Sequence, residues 1–373
     1  MRVALVHDWL TGMRGGERCL EVFCELFPEA DLFTLLHVPG RVAPLIERRR
    51  IVASFLQRLP AAATSYRNYL LLMPAAVARF DLSGYDLVLS SSHCVAKGAH
   101  PDSNALHVCY CFTPMRYVWD RYHDYLGPGA RLSARLLMPA VAPALRAWDR
   151  ASSRRVHHFV AISEHVRDRI RRCYGREATV IYPPVDVQRF EVADGDGEDF
   201  YLVVAALVPY KRVDLAILAA NALGRRLLIV GTGPEEQRLR ALAGPTVEFL
   251  GWRDDAEVAR LYRRCRAVVF PGCEDFGIVP LEAMAAGRPV IAFGAGGALE
   301  TIVPPGADGP ATGLLFEEQT LPAMTSAIER FEGEAHRFAP KALRARAELF
   351  GRTRFREAMR GYLHARLAER AAC

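Results

Sequence analysis

Short apolar runs rich in β-branched residues alternate along this chain with longer amphipathic stretches, and they do so in two separate series. In the first series Val3–Val6, Asp86–Ser90, Leu106–Cys111, His158–Ile162 and Thr179–Tyr182 read as buried strands. Gly15–Phe27 and the stretch capped by Ser163 read as helices. The second series places strands at Tyr201–Ala205, Arg226–Val230, Val247–Leu250, Ala267–Phe270 and Pro289–Phe293. Its helices fall at Arg212–Ala222, Glu235–Ala243, Ala256–Arg264 and Pro280–Ala286. Strands separated by helices demand parallel sheets joined by right-handed crossovers. The expectation is therefore an α/β chain of two Rossmann-like domains. The polar, glycine-containing run VADGDGED, Val192–Asp199, reads as the linker between them. This divides the chain into 1–190, 191–351 and a basic amphipathic helix in 352–373 that should pack back on the first domain. Ligands of open parallel sheets lie beyond the carboxyl ends of the strands, which predicts a site in a cleft between the two domains.

The 373 residues suit two domains. No apolar run approaches the roughly 20 residues that cross a bilayer, and MRVALVHDWL is too short in its apolar part for a signal segment. A cytoplasmic protein is expected. The nine cysteines are odd in number and form no C-x-x-C pair, which argues against a disulfide framework or a zinc site. Residues 1–190 carry a net charge of +8 and residues 191–373 of −2. A basic first half suits a phosphorylated acceptor or peripheral contact with an anionic membrane, at the inner face. A solvated arginine-rich surface explains it equally well. Leu56–Phe80 mixes apolar residues with Arg58, Arg67 and Arg79, and reads either as an interfacial amphipathic segment or as ordinary helix packing.

The segment Val268–Ile302 carries the most chemistry. A strand ending at Phe270 leads into a loop with Glu274 and Gly277. Pro280 then falls where a first helical residue should stand, Glu282 in the first turn and Gly287 at the end. The N–H groups of Gly277, Ile278 and Val279 at such a helix start can bind phosphate, and Gly277 clears the approach. A carboxylate repels phosphate, so Glu282 would face ribose hydroxyls and Glu274 sugar hydroxyls. An acid in a first helical turn also stabilises the helix by about 0.3–1 kcal/mol without any ligand. Lys211 and Arg212 stand at a helix start, where cations are otherwise unfavourable. A donor bound at roughly 10 μM needs about 7 kcal/mol, more than a helix dipole supplies, and charge-assisted bonds can provide the difference.

This segment resembles the Glu-x7-Glu signature of glycosyltransferase family 4. The resemblance runs along nearly the whole chain and is greatest toward the O-antigen mannosyltransferase-like branch. HDWLTGMRGGE, SSSHCVAKG, TPMRYVWD, VIYPPVD, LVPYKRVD and FGIVPLEA follow one another in that order. The resemblance implies a GT-B fold and retaining transfer of a sugar, mannose from GDP-mannose, to a lipid-linked or saccharide acceptor of surface polysaccharide synthesis. It implies that Glu274 contacts the donor sugar, Glu282 the ribose and Lys211 the diphosphate. Gly15 and Gly16 would let the backbone approach the diphosphate. Gly233, in a Gly-Thr-Gly loop that lacks the third glycine of a dinucleotide fingerprint, would approach the nucleotide. Arg116 and Tyr117 would shape the acceptor side.

Two positions depart from the family pattern. Ala206 stands where many members place an arginine, and Phe112 where many place a histidine before Thr-Pro. His93 is then a candidate for the missing polar role, or a structural histidine. Asp194-Gly195-Asp196 has metal-motif spacing but lies in the expected linker, so no cofactor or metal is expected, and no nucleic-acid partner. An epimerase of the same fold, or a sugar-nucleotide-binding protein without activity, are the alternatives.

Overall fold

A computed structural model describes residues 1–119, 132–193 and 195–372. The chain forms two compact units, Met1–Pro184 with Phe355–Cys373, and Val185–Arg354. The division falls at Pro184 and Val185 rather than after residue 190.

The first unit is built on seven strands: β1 (Val3–His7), β2 (Asp31–Thr34), β3 (Ile51–Ala53), β4 (Leu87–Ser92), β5 (Leu106–Cys111), β6 (His158–Ala161) and β7 (Ala178–Val180). All pairs are parallel, in the order β3-β2-β1-β4-β5-β6-β7. β1, β4 and β5 are buried along their whole length, as a parallel sheet covered on both faces requires. β2 and β3 escape sequence reasoning because DLFT and IVA are too short to show a period. The Glu164–Tyr174 helix starts where expected, with Ser163 accepting from the Val166 N–H at 3.1 Å. The last helix, Arg352–Ala372, lays Phe355 against Phe23 and Tyr110, with ring centroids 5.7 and 5.4 Å apart. Near its end Arg370 donates to the carbonyls of Ser103 and Asn104.

Leu56–Phe80 is not one amphipathic helix. It breaks into the short turns Phe55–Arg58, Ala62–Ser65, Tyr66–Leu72 and Met73–Val77. Leu56, Ala62, Tyr66, Met73, Ala76, Val77 and Phe80 enter the core of the unit, while Leu71 and Leu72 remain exposed. Among the described residues no helix is long and apolar enough to cross a membrane.

The second unit holds six parallel strands, β8 (Tyr201–Val204), β9 (Leu227–Val230), β10 (Val247–Gly251), β11 (Ala267–Phe270), β12 (Val290–Phe293) and β13 (Gly313–Phe316). Their order is β10-β9-β8-β11-β12-β13. β13 escapes sequence reasoning because glycine opens it and a proline-glycine-rich stretch precedes it. The run expected to be a linker belongs inside this unit. Arg288 donates to the Gly195 carbonyl at 2.8 Å, and Glu198 pairs with Arg264 at 2.5 Å. Gly197 sits so close to the Cys265 carbonyl that a Cβ would lie 2.4 Å from its oxygen. Asp194, the first residue of the Asp-x-Asp spacing, lies outside the described residues. Among the described residues no group of three His, Cys, Asp or Glu side chains is arranged to hold a metal.

Candidate functional site

In both sheets the first strand lies in the middle and the strand order reverses beside it, between β8 and β11 in one and between β1 and β4 in the other. Loops that leave two strands at such a reversal diverge and open a crevice at their carboxyl ends. The residues singled out from the sequence concentrate on these loops.

In the second unit β8 leads through Pro209–Lys211, a single turn, to the Val213–Leu223 helix, and β11 leads to the loop carrying Glu274. Lys211 Nζ pairs with Glu274 Oε1, with the two side chains 14% and 23% exposed. Arg212 takes a left-handed backbone conformation, φ +50°, at a cost of about 1–2 kcal/mol for a residue with a Cβ. Its guanidinium is turned to Asp214 at 3.2 Å, within its own helix start. Glycine packing fixes the Glu274 loop. A Cβ on Gly272 would come within 2.9 Å of Lys211 Cα, which is how the two loops approach closely enough for the ion pair. A Cβ on Gly297 would fall 2.2 Å from the Phe276 backbone, and the Gly297 N–H donates to the Glu274 carbonyl at 2.9 Å.

The helix after this loop spans Ile278–Ala285 and begins at Gly277, φ +89°. No side chain caps it. Glycine is needed at 277 for its backbone angle, since a Cβ there would meet nothing nearer than 3.5 Å. The start lies two residues earlier than expected, so Ile278 and not Pro280 is the first helical residue. Glu282 consequently lies beyond the first turn, and the first turn holds no acid. Sequence reasoning placed the start at Pro280 because proline favours that position, but proline is tolerated throughout the first turn.

Glu282 is not an open carboxylate. Arg189 Nη2 donates to its Oε1 at 3.2 Å, and the Tyr262 hydroxyl to its Oε2 at 3.1 Å. Arg189 is itself paired with Asp255 at 2.6 Å. Burial, then the Glu282 charge, push the Tyr262 hydroxyl well above its ordinary range, so it stays a donor. Neither Arg189 nor Tyr262 was singled out from the sequence. Gly233 has a packing reason for being glycine, because a Cβ there would fall 2.3 Å from the Leu207 carbonyl oxygen.

The corresponding loops of the first unit follow β1 and β4. Asp8, fully buried at the end of β1, accepts four backbone N–H groups of the loop after β4. His93 and Cys94 donate to Oδ2 at 2.7 and 2.9 Å, and Val95 and Ala96 to Oδ1 at 2.7 and 2.8 Å. His93 Nδ1 lies 3.2 Å from Asp8 Oδ2. Farther along the loop Lys97 is buried, 2.6 Å from Asp149 Oδ1 and donating to Ser152 Oγ at 2.8 Å. Asp149 Oδ2 accepts from Trp119 Nε1 and from the Tyr174 hydroxyl, each at 2.8 Å.

Gly15 and Gly16 open the Gly15–Leu26 helix. Glu17, buried, accepts the Arg14 N–H at 3.0 Å and lies 3.8 Å from His7 Nε2. Burial acts to raise the Glu17 carboxyl, but the His7 imidazole, a backbone N–H and His93 together outweigh it, leaving Glu17 below the usual carboxylate value. His7 Nδ1 shares a hydrogen bond with Ser91 Oγ at 2.7 Å. A Cβ on Gly16 would touch both His7 and Phe112 at 3.5 Å, so these three residues form one patch. Phe112 also faces the His93 ring, with centroids 6.3 Å apart. Arg116 and Tyr117 are partly buried on the segment that follows, and the Arg116 charge helps to lower the His93 pKa, after burial itself. Asp8 was missed from the sequence. Its signal was an acid directly after a buried strand, in HDWL, which also reads as an ordinary surface turn.

Two family models match, Glycosyl transferases group 1 over residues 185–347 and Glycosyltransferase Family 4 over residues 13–189. The chain belongs to glycosyltransferase family 4. A GDP-mannose-dependent alpha-mannosyltransferase of Mycobacterium tuberculosis is 37% identical over 185 residues, 45% of this chain and 46% of that protein. O-antigen chain mannosyltransferase C of Escherichia coli is 36% identical over 102 residues, 26% of this chain and 28% of that one. The chain spans about half the length, or less, of the curated relatives it matches. Anabaena HepE, solved in complex with UDP-glucose, superposes with a TM-score of 0.70 at 18% identity over 98% of this chain and all of HepE. At that identity the likeness is one of fold, and the two Rossmann-like units of this family 4 chain are those of the GT-B class.

Proposed function

We propose that this chain transfers mannose from GDP-mannose, with retention of configuration, to a lipid-linked or saccharide acceptor of surface polysaccharide. The Lys211–Glu274 pair at the β8/β11 reversal, beside the uncapped Ile278–Ala285 helix start, carries this reading. Lys211 supplies the counter-charge for the donor diphosphate, and the N–H groups of Gly277, Ile278 and Val279 supply directed donors. When the diphosphate takes Lys211, Glu274 is released to accept from hydroxyls of the donor sugar. Glu282, oriented by Arg189 and Tyr262, meets the ribose. The GDP-mannose preference rests on relatives such as the Mycobacterium tuberculosis enzyme. In this reading Gly15 and Gly16 admit the diphosphate to the backbone, and Arg116 and Tyr117 shape the acceptor side.

The chemistry is then displacement of the diphosphate by an acceptor hydroxyl, with catalysis resting on placement and on charge stabilisation of the leaving group. With Lys211 and a helix dipole as counter-charge, turnover is expected to survive EDTA. Titration calorimetry with GDP, GDP-mannose and UDP-glucose tests the donor site. GDP-mannose should bind, and Lys211→Ala should weaken GDP about 10- to 100-fold, the worth of one charge-assisted bond. Absence of binding by every nucleotide would overturn the reading.

A further inference from the structure

The carboxyl ends of β1 and β4 hold an Asp–His pair that the donor site does not use. Asp8 is acceptor to four backbone N–H groups, so its carboxylate is fixed in place before it meets His93. The Asp8 carboxylate oxygen 3.2 Å from His93 Nδ1 favours the proton on that nitrogen in the neutral ring. That leaves Nε2 as a hydrogen-bond acceptor. The ring is wedged edge-on against Trp9, with centroids 4.4 Å apart, and its side chain is 32% exposed. Asp8 already holds the loop through the backbone, so pinning the loop does not account for a partly exposed imidazole here.

We propose that His93 Nε2 accepts a hydrogen bond from an acceptor hydroxyl, and that Asp8 is the positioning residue that sets the tautomer. This rests on the transferase reading above. The neighbouring charges agree with a neutral O–H ligand. Asp8 at the end of β1 and Glu17 on the Gly15–Leu26 helix disfavour an anion here. His7 on β1 and Arg116 on the segment after β5 disfavour protonation of His93. Phe112, its ring beside His93, has no polar atom to offer, and His93 supplies one to the same patch from the neighbouring strand end. Burial first, then His7 and Arg116, lower the His93 pKa against the opposing pull of Asp8 and Glu17, which keeps the ring neutral through the physiological range.

Two measurements on the full chain decide the matter. In ¹⁵N-histidine NMR the His93 ring should show a protonated Nδ1 and a bare Nε2 at pH 7.5. A protonated Nε2 would overturn the proposal whatever the activity. In steady-state assays with GDP-mannose and octyl α-mannoside, His93→Ala should raise the acceptor KM roughly 3- to 10-fold with the donor KM unchanged, and His93→Gln should restore part of the loss. The wild-type rate should fall in acid with a limb below pH 6.5, and this limb should vanish in His93→Gln. Asp8→Asn removes the charge that holds the His93 pKa up, so its limb should move to lower pH. An unchanged acceptor KM and acid limb in His93→Ala would refute the proposal alone, provided that Lys211→Ala has lost activity. If Lys211→Ala is also unimpaired, it is the transferase reading that falls.

Discussion

The loop after β4 in the first unit hangs from two buried carboxylates, Asp8 and Asp149, whereas the loop after β11 in the second is held by backbone packing at Gly272, Gly296 and Gly297. Both loops stand at a reversal of strand order. The difference lies in what each must leave free. A glycine-packed loop leaves its charged side chain, Glu274, to pair with Lys211 on the turn after β8. A loop suspended on charge spends charged side chains on its own geometry and presents mainly an uncharged imidazole. The first arrangement suits a diphosphate, the second a hydroxyl.

The comparison breaks most severely if the charge suspension is cut. Lys97→Met should destabilise the first unit by about 3–5 kcal/mol, because Asp149 is left buried without its cation. Urea unfolding should show this while GDP binding by the folded protein is retained. A loss below 1 kcal/mol would mean that Trp119 and Tyr174 hold Asp149 unaided. Gly297→Ala tests the other loop. Its Cβ would collide with the Phe276 backbone, and a cost of about 1–3 kcal/mol is expected, together with weaker GDP-mannose binding in calorimetry. Unchanged donor affinity would show that the Glu274 loop tolerates displacement.

A third test sharpens the contrast through pH. His107, buried against Ser90 at 2.9 Å, has its pKa pushed down to about 3 by burial, with His157 adding to it. The unfolded chain takes up this proton near pH 6.5 and the folded protein does not. Stability from this group is therefore complete above about pH 6.5 and falls with acid toward pH 3, by at most about 1.4 kcal/mol per pH unit. His107→Gln should flatten the pH dependence of unfolding in that window. An unchanged slope would assign the acid sensitivity to other groups.

The alternation of apolar runs made both sheets legible, since buried parallel strands carry their signal locally. Glu274 and Lys211 could be singled out because each stands between a strand end and a helix start, although the helix after Glu274 begins at Ile278, two residues before the expected Pro280. What stayed hidden depends on distant partners. Glu282 gave no sign of Arg189, which is far from it in sequence, and Asp8 no sign of the four N–H groups after β4. The run at 192–199 resembles a linker because its charges and glycines are polar, yet Arg264 and Arg288 claim them. Leu56–Phe80 has the composition of an amphipathic helix, but Pro60 and Pro74 interrupt the stretch and its apolar residues are drawn into the core in separate turns.

The second unit is inserted into the first, because Phe355–Cys373 returns to the sheet with which the chain began. Its two ends are neighbours, with the Val185 N–H donating to the Phe350 carbonyl at 2.9 Å and Val185 bridging to Gly351. A segment with adjoining ends can be excised or transplanted as a cassette without stretching its host. On the ribosome the order is strict. Phe23 and Tyr110 are made early, yet the Phe355 ring that covers them emerges only after the entire inserted unit has been synthesised. The nascent first unit must therefore wait with an aromatic surface uncovered, and a truncation before residue 355 would leave that surface bare for good.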